Sequence, residues 1–199
     1  MLAFGIYYYP MLPSTIPIHW DYRWVANSFA PKEKAVFLLP FFALGMLVLF
    51  QFLPKLDPKK DNYPKFAKAW EAFQISILIF FAYAYFLSIL VNIYPLDMQK
   101  YLMLGIWLLF VVLWNYMWKI RRNYFVWIRL PWTIENEEVW NKTHRFGWKM
   151  FMVSWVLFIL DAFLKAKPGL VLIALLILSV FVPLVYSYII YKKISWNAK

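Results

Sequence analysis

Residues 72–91 read AFQISILIFFAYAYFLSILV, twenty residues without one charged side chain. As a helix rising 1.5 Å per residue they are about 30 Å long, the thickness of bilayer hydrocarbon. The rest of the chain has the same character. Of 199 residues, 64% are hydrophobic, 23% aromatic and only 16% charged, against about a quarter charged in soluble domains. A globular interior of this size cannot bury so much Trp, Tyr and Phe, and disordered chains are aromatic-poor. The composition therefore specifies an all-α integral membrane protein.

Working outward from residues 72–91, four more apolar stretches approach spanning length: Ala35–Leu53, Tyr101–Trp118, Trp148–Leu164 and Gly169–Tyr191. This predicts a polytopic helical bundle of five full spans. The last two are joined only by Lys165-Ala166-Lys167-Pro168, a tight antiparallel hairpin. Met1–Leu12 is apolar but rises only about 18 Å as a helix, so it is either a half-span at the interface or the end of a longer first helix. Four regions result: 1–34, the short segment and an outer Pro/aromatic loop; 35–118, a three-span part; 119–147, a long inner loop with an amphipathic interfacial helix; and 148–199, a two-span hairpin with a basic tail.

The net charge is +11, from 21 Lys and Arg against 10 Asp and Glu. In a membrane protein such an excess collects in cytoplasmic loops and on anionic headgroups, so no direct nucleic-acid partner is expected. Fifteen of the cations lie in Lys55–Lys68, Lys119–Lys149 and Lys192–Lys199, and six lie between the other span ends. That asymmetry predicts a plasma-membrane protein whose carboxyl terminus is cytoplasmic.

Two segments between spans carry more structure than connectors need. In the outer one, Pro13 and Pro17 impose an extended chain, and Trp20, Tyr22 and Trp24 crowd five residues. It reads as an interfacial aromatic anchor or, more sharply, as a ligand-facing surface. In the inner one, Asn136 is the expected N-cap of a helix with Glu137 and Glu138 in its first turn. Val139, Trp140, Phe146 and Met150 recur at helical spacing, and Glu138 and Lys142 form an i,i+4 pair.

The inner segment resembles the signature of the SdpI-type immunity proteins of Gram-positive bacteria. The likeness rests on Asn123, Arg129-Leu130-Pro131-Trp132-Thr133 and Glu138-Val139-Trp140-Asn141-Lys142-Thr143-His144-Arg145-Phe146-Gly147. The outer stretch Ile16-Pro17-Ile18-His19-Trp20-Asp21, with Lys32, is similar to the uncharacterised amino-terminal module that often precedes that signature. The chain departs from the pattern at Trp127, where the family usually has glycine, and at Trp24 and Asn27, where glycine and aspartate are common. The resemblance implies a membrane immunity protein that binds a membrane-active toxin peptide, and it implies signalling through a cytoplasmic repressor held at the membrane. It nominates Asn123, Arg129, Pro131, Trp132, Thr133, Glu138, Trp140, Thr143, His144, Arg145 and Gly147 inside, and Pro17, His19, Trp20 and Asp21 outside.

No catalytic residue, cofactor or metal is expected. The chain lacks cysteine, its five glycines form no phosphate loop, and His19 and His144 fall on opposite faces of the predicted topology. Arg129, Glu138, His144 and Arg145 are expected to form a buried polar cluster, acting as a structural clamp or as a docking site. The competing classes are a small transporter, a membrane enzyme using that cluster, and a structural subunit.

Overall fold

The computed structural model describes residues 1–21, 23–164 and 168–197. It is mostly helical, with one two-stranded sheet. Among the described residues three helical stretches are long and apolar enough to cross a membrane: Lys32–Leu56, Lys60–Leu90 and Ile177–Trp196. Met98–Leu113 is apolar but shorter. The expected turn at Lys165–Lys167 and the end of the tail, with Lys199, lie outside the described residues. The chain divides into two units, residues 1–52 with 72–113 and residues 53–71 with 114–199.

The first unit opens with a short helix α1 (Leu2–Tyr8) and a 3-10 turn (Tyr9–Met11). Two strands follow, β1 (Thr15–Trp20) and β2 (Ala26–Pro31), antiparallel with Ile16 opposite Ala30 and irregular register between Pro17 and Trp20. This hairpin corrects the all-α expectation. Prolines 13 and 17 deny the segment a helix, and Thr15, Ile16 and Ile18 favour a pleated strand instead. Helix α2 (Lys32–Leu56) begins directly after β2, and α3 (Ala67–Leu90) and α4 (Met98–Met117) follow.

Leu12, Ile16, Val36, Tyr85 and Ile89 form the buried core of this unit. Gly5 brings α1 into it, because a Cβ there would run into the Tyr85 hydroxyl and come within 2.8 Å of Val36 Cγ1. The Lys32 ammonium lies 4.3 Å from the Tyr9 ring centroid and donates to the carbonyls of Tyr9 (3.3 Å) and Leu12 (3.4 Å). It thereby satisfies carbonyls that the short helical segment leaves open. Between α2 and α3, Gln51 Nε2 donates to Gln74 Oε1 at 3.4 Å, an interhelical bond of the kind polar residues make in apolar bundles.

In the second unit a 3-10 turn (Lys60–Phe66) precedes the start of α3, and α5 (Pro131–Glu135), α6 (Glu137–Leu164) and α7 (Pro168–Asn197) follow the irregular segment after α4. Helix α6 runs unbroken, joining the expected amphipathic segment to the expected fourth span. Its 28 residues make about 42 Å, longer than the hydrocarbon of a bilayer. Asn136 caps it, with Oδ1 accepting from the amides of Glu138 (2.9 Å) and Val139 (3.0 Å).

Candidate functional site

The segment between α4 and α6 has little regular structure of its own, so its backbone groups need side-chain partners. Asn123, fully buried, supplies three of these bonds: Oδ1 accepts from the amides of Phe125 (2.9 Å) and Val126 (2.6 Å), and Nδ2 donates to the Arg121 carbonyl (2.9 Å). Thr133, also fully buried, accepts from the Leu130 amide at 2.9 Å at the start of α5, where Pro131 occupies the first turn. Its hydroxyl lies 3.1 Å from the Ile128 carbonyl and 2.9 Å from that of Leu130.

Two tryptophans fasten the segment to the long helices. Trp132 Nε1 donates to Ser187 Oγ on α7 at 3.0 Å, and its ring stacks on Tyr191 and meets Tyr188 edge-on. Trp140 on α6 is fully buried, donates to the Ile120 carbonyl at 2.9 Å and stacks on His144 with centroids 4.0 Å apart. His144 Nδ1 lies 2.7 Å from the Trp140 carbonyl. A carbonyl only accepts, so Nδ1 carries the proton and Nε2 is left as a bare acceptor. Burial holds the His144 pKa down at about 4, the bond to Trp140 opposing that shift. Nε2 has no partner among the described residues; nor have the buried polar atoms of Thr143 and Trp127. Gly147 is buried where α6 passes Pro183 of α7.

The expected buried cluster of Arg129, Glu138, His144 and Arg145 does not form. Only His144 is buried. Arg129 is exposed and donates to the Tyr124 carbonyl at 3.0 Å. Glu138 is exposed and pairs with Lys142 at 2.6 Å, one turn along α6. Arg145 is exposed, as is Pro131. The reason is helical phase: positions 138, 142 and 145 share one face of α6, and His144 falls about 100° away from Arg145 on the packed face.

Sequence reasoning missed Asp57. This carboxylate is 2% exposed and accepts three bonds, from the Lys59 amide (2.7 Å), the Tyr63 hydroxyl (3.0 Å) and the Tyr124 amide (2.8 Å). It ties the loop before α3 to the signature segment, and Asn62 reinforces the tie by donating to the Arg122 carbonyl at 2.9 Å. Asp-Pro-Lys-Lys signals a turn, but nothing local announces a partner 67 positions away.

In the first unit, His19 Nδ1 and Asn27 Oδ1 lie 2.6 Å apart across the hairpin. Asp21 shapes its turn by accepting from the amides of Arg23 (2.8 Å) and Val25 (3.0 Å). Those bonds, Val25's foremost, hold its carboxyl below the usual range. Pro17 and Trp20 are half-buried, and Ile18, Val25 and Phe29 project outward.

Residues 119–187, which contain this fastening, match the SdpI/YfhL protein family. Over these residues the chain is similar to the SdpI type. Residues 1–44, with α1 and the hairpin, match a domain of unknown function, DUF1648. Along its length the chain is similar to the Immunity protein SdpI of Bacillus subtilis (strain 168), 25% identical over 193 residues that cover 96% of this chain and 90% of that protein. No solved structure matches. The two matched regions fall one in each unit, so the SdpI-type signature belongs to the α6–α7 unit and the amino-terminal module to the other.

Proposed function

We propose that this chain is a multi-pass plasma-membrane immunity protein that protects its host by binding a membrane-active toxin peptide. The observation that carries the reading is the likeness, across nearly the whole chain, to a protein named for immunity. The geometry supports binding over catalysis, since the signature side chains Asn123, Trp132, Thr133, Trp140 and His144 are engaged in holding the segment to α6 and α7. They act as a structural clamp, and the exposed hairpin with Ile18, Val25 and Phe29 is the surface offered to a ligand. Signalling belongs to the same reading: Arg129, Pro131 and Glu138, exposed beside the clamp, face a cytoplasmic repressor.

Expression in a toxin-sensitive host tests the first claim. Survival should rise against membrane-active peptides made by the source organism or its near relatives, and unchanged killing across that set would sink the proposal. A reporter fused after Lys199 should be cytoplasmic. A tagged repressor encoded beside the gene should move to the membrane on toxin exposure; diffuse fluorescence throughout would remove the signalling half.

A further inference from the structure

One face of α6 is exposed from Glu138 to Val156: Glu138, Lys142, Arg145, Lys149, Val153 and Val156 recur every three or four residues. Its character changes once, between Lys149 and Val153. Glu138 neutralises Lys142. Arg145 and Lys149, the next two members, have no hydrogen bond or ion pair among the described residues.

Helix α7 shows the depth at which these cations sit. It packs antiparallel to α6, with the Phe146 ring stacked on Tyr186 at 4.1 Å and Gly147 facing Pro183. At that level α7 exposes Phe181 (58%) and Val185 (61%). Two unneutralised cations therefore share a depth with apolar side chains that face outward. A cation beside lipid chains must reach a counter-charge. Side chains on a helix lean toward its N-terminus, so Arg145 and Lys149 lean toward the end of α6 that begins at Glu137. Lys149 stands about 6 Å, and Arg145 about 12 Å, along the axis from Val153, while the headgroup zone of one leaflet is roughly 5–8 Å deep.

We infer that Arg145 and Lys149 form a binding site for an anionic phospholipid: the phosphate bridges the two cations and the acyl chains lie along Val153 and Val156. An anionic headgroup supplies the net negative charge that two unpaired cations require. Phosphatidylcholine does not, because its choline neutralises its own phosphate. Arg145 adds a planar fork suited to phosphate oxygens.

Native mass spectrometry of the full chain in neutral detergent tests this, with phosphatidylglycerol, phosphatidylcholine and inorganic phosphate as separate probes. The native chain should retain phosphatidylglycerol and discriminate against phosphatidylcholine. Each cation near a charged lipid surface is worth about fivefold, so Arg145→Gln with Lys149→Gln should weaken retention on the order of 25-fold. Lys192→Gln with Lys193→Gln, at the end of α7, removes the same charge and should leave retention within about twofold, inside the roughly fivefold worth of one direct contact. Exchanging the pair, Arg145→Lys with Lys149→Arg, should preserve binding. No discrimination by the native chain would overturn the site. Equal loss in both Gln pairs would show diffuse surface charge instead, and inorganic phosphate displacing the lipid at equal concentration would show a free-anion site.

Discussion

Acidification should destabilise this protein through His144. The side chain lies on α6 before the Trp148–Leu164 stretch read as spanning, is 1% exposed, and keeps a folded pKa of about 4 against an ordinary 6.5. The folded pKa is depressed, so the unfolded chain takes up its proton first as pH falls. Stability is then complete above 6.5 and declines between 6.5 and 4. Over the interval from about pH 7.5 to about pH 4.5 the linked loss is about 2–3 kcal/mol. Geometry gives the same direction: the incoming proton lands on Nε2, a buried atom without a partner among the described residues. His144→Asn isolates the effect, because its amide donates to the Trp140 carbonyl in place of Nδ1 and does not titrate. Denaturant midpoints of both proteins in neutral detergent, taken across that interval, give the difference directly. Carboxylates titrate in both, so only the gap between the two curves counts. If the native chain loses no more stability on acidification than His144→Asn, the burial argument is wrong.

Asp57→Ala leaves the buried Tyr63 hydroxyl and the Tyr124 amide without their acceptor, and should lower unfolding free energy by about 2–4 kcal/mol in detergent melts, with Tyr63→Phe costing about 1 kcal/mol. Gly5→Ala and Gly147→Ala should behave oppositely. A Cβ at Gly5 meets Tyr85 and Val36 and should cost about 1–3 kcal/mol, whereas one at Gly147 finds Pro183 at an ordinary 3.5 Å and should be neutral or stabilising, as differential scanning fluorimetry would register. At position 127, Gly should be more stable than Ala by about 1 kcal/mol, the reverse of the usual order, because the backbone there has φ 78°; Ala matching or exceeding Gly would refute it.

Three of the five expected spanning helices were legible because they depend on composition over about twenty residues, a signal that tertiary packing cannot reverse. Caps and short-range pairs were legible for a similar reason: Asn136 and the Glu138–Lys142 pair answer to neighbours within four positions. The hairpin was half legible. The extended course of its first strand showed in Pro13 and Pro17, but not the strand pairing, and its turn lacks the Asn-Gly or Asp-Gly that marks a reversal. Within the candidate site, residue identities suggested an arrangement that the structure does not have. Charged signature residues suggested convergence, yet the phase of α6 turns Glu138 and Arg145 outward and leaves Trp140, Thr143 and His144 inside. Asp57 was out of reach, since its partner at position 124 belongs to another part of the chain.

The two glycine departures from the family pattern acquire a physical meaning in the backbone. Trp24 (φ 62°) and Trp127 (φ 78°) are the non-glycine residues at positive φ among the described ones. These are the positions at which the SdpI-type pattern and its amino-terminal module favour glycine. A side chain in the left-handed region costs about 1 kcal/mol or more, and a ring offsets that cost where it packs. Trp127 does so against His144 and Phe151, with centroids 6.4 Å away in both cases. The left-handed turn at Trp127 lies directly between Val126, whose amide Asn123 holds, and Ile128, whose carbonyl Thr133 holds. The tryptophan there adds an aromatic wall beside the buried histidine. That wall helps exclude the water that would otherwise let His144 take up a proton at its ordinary pKa.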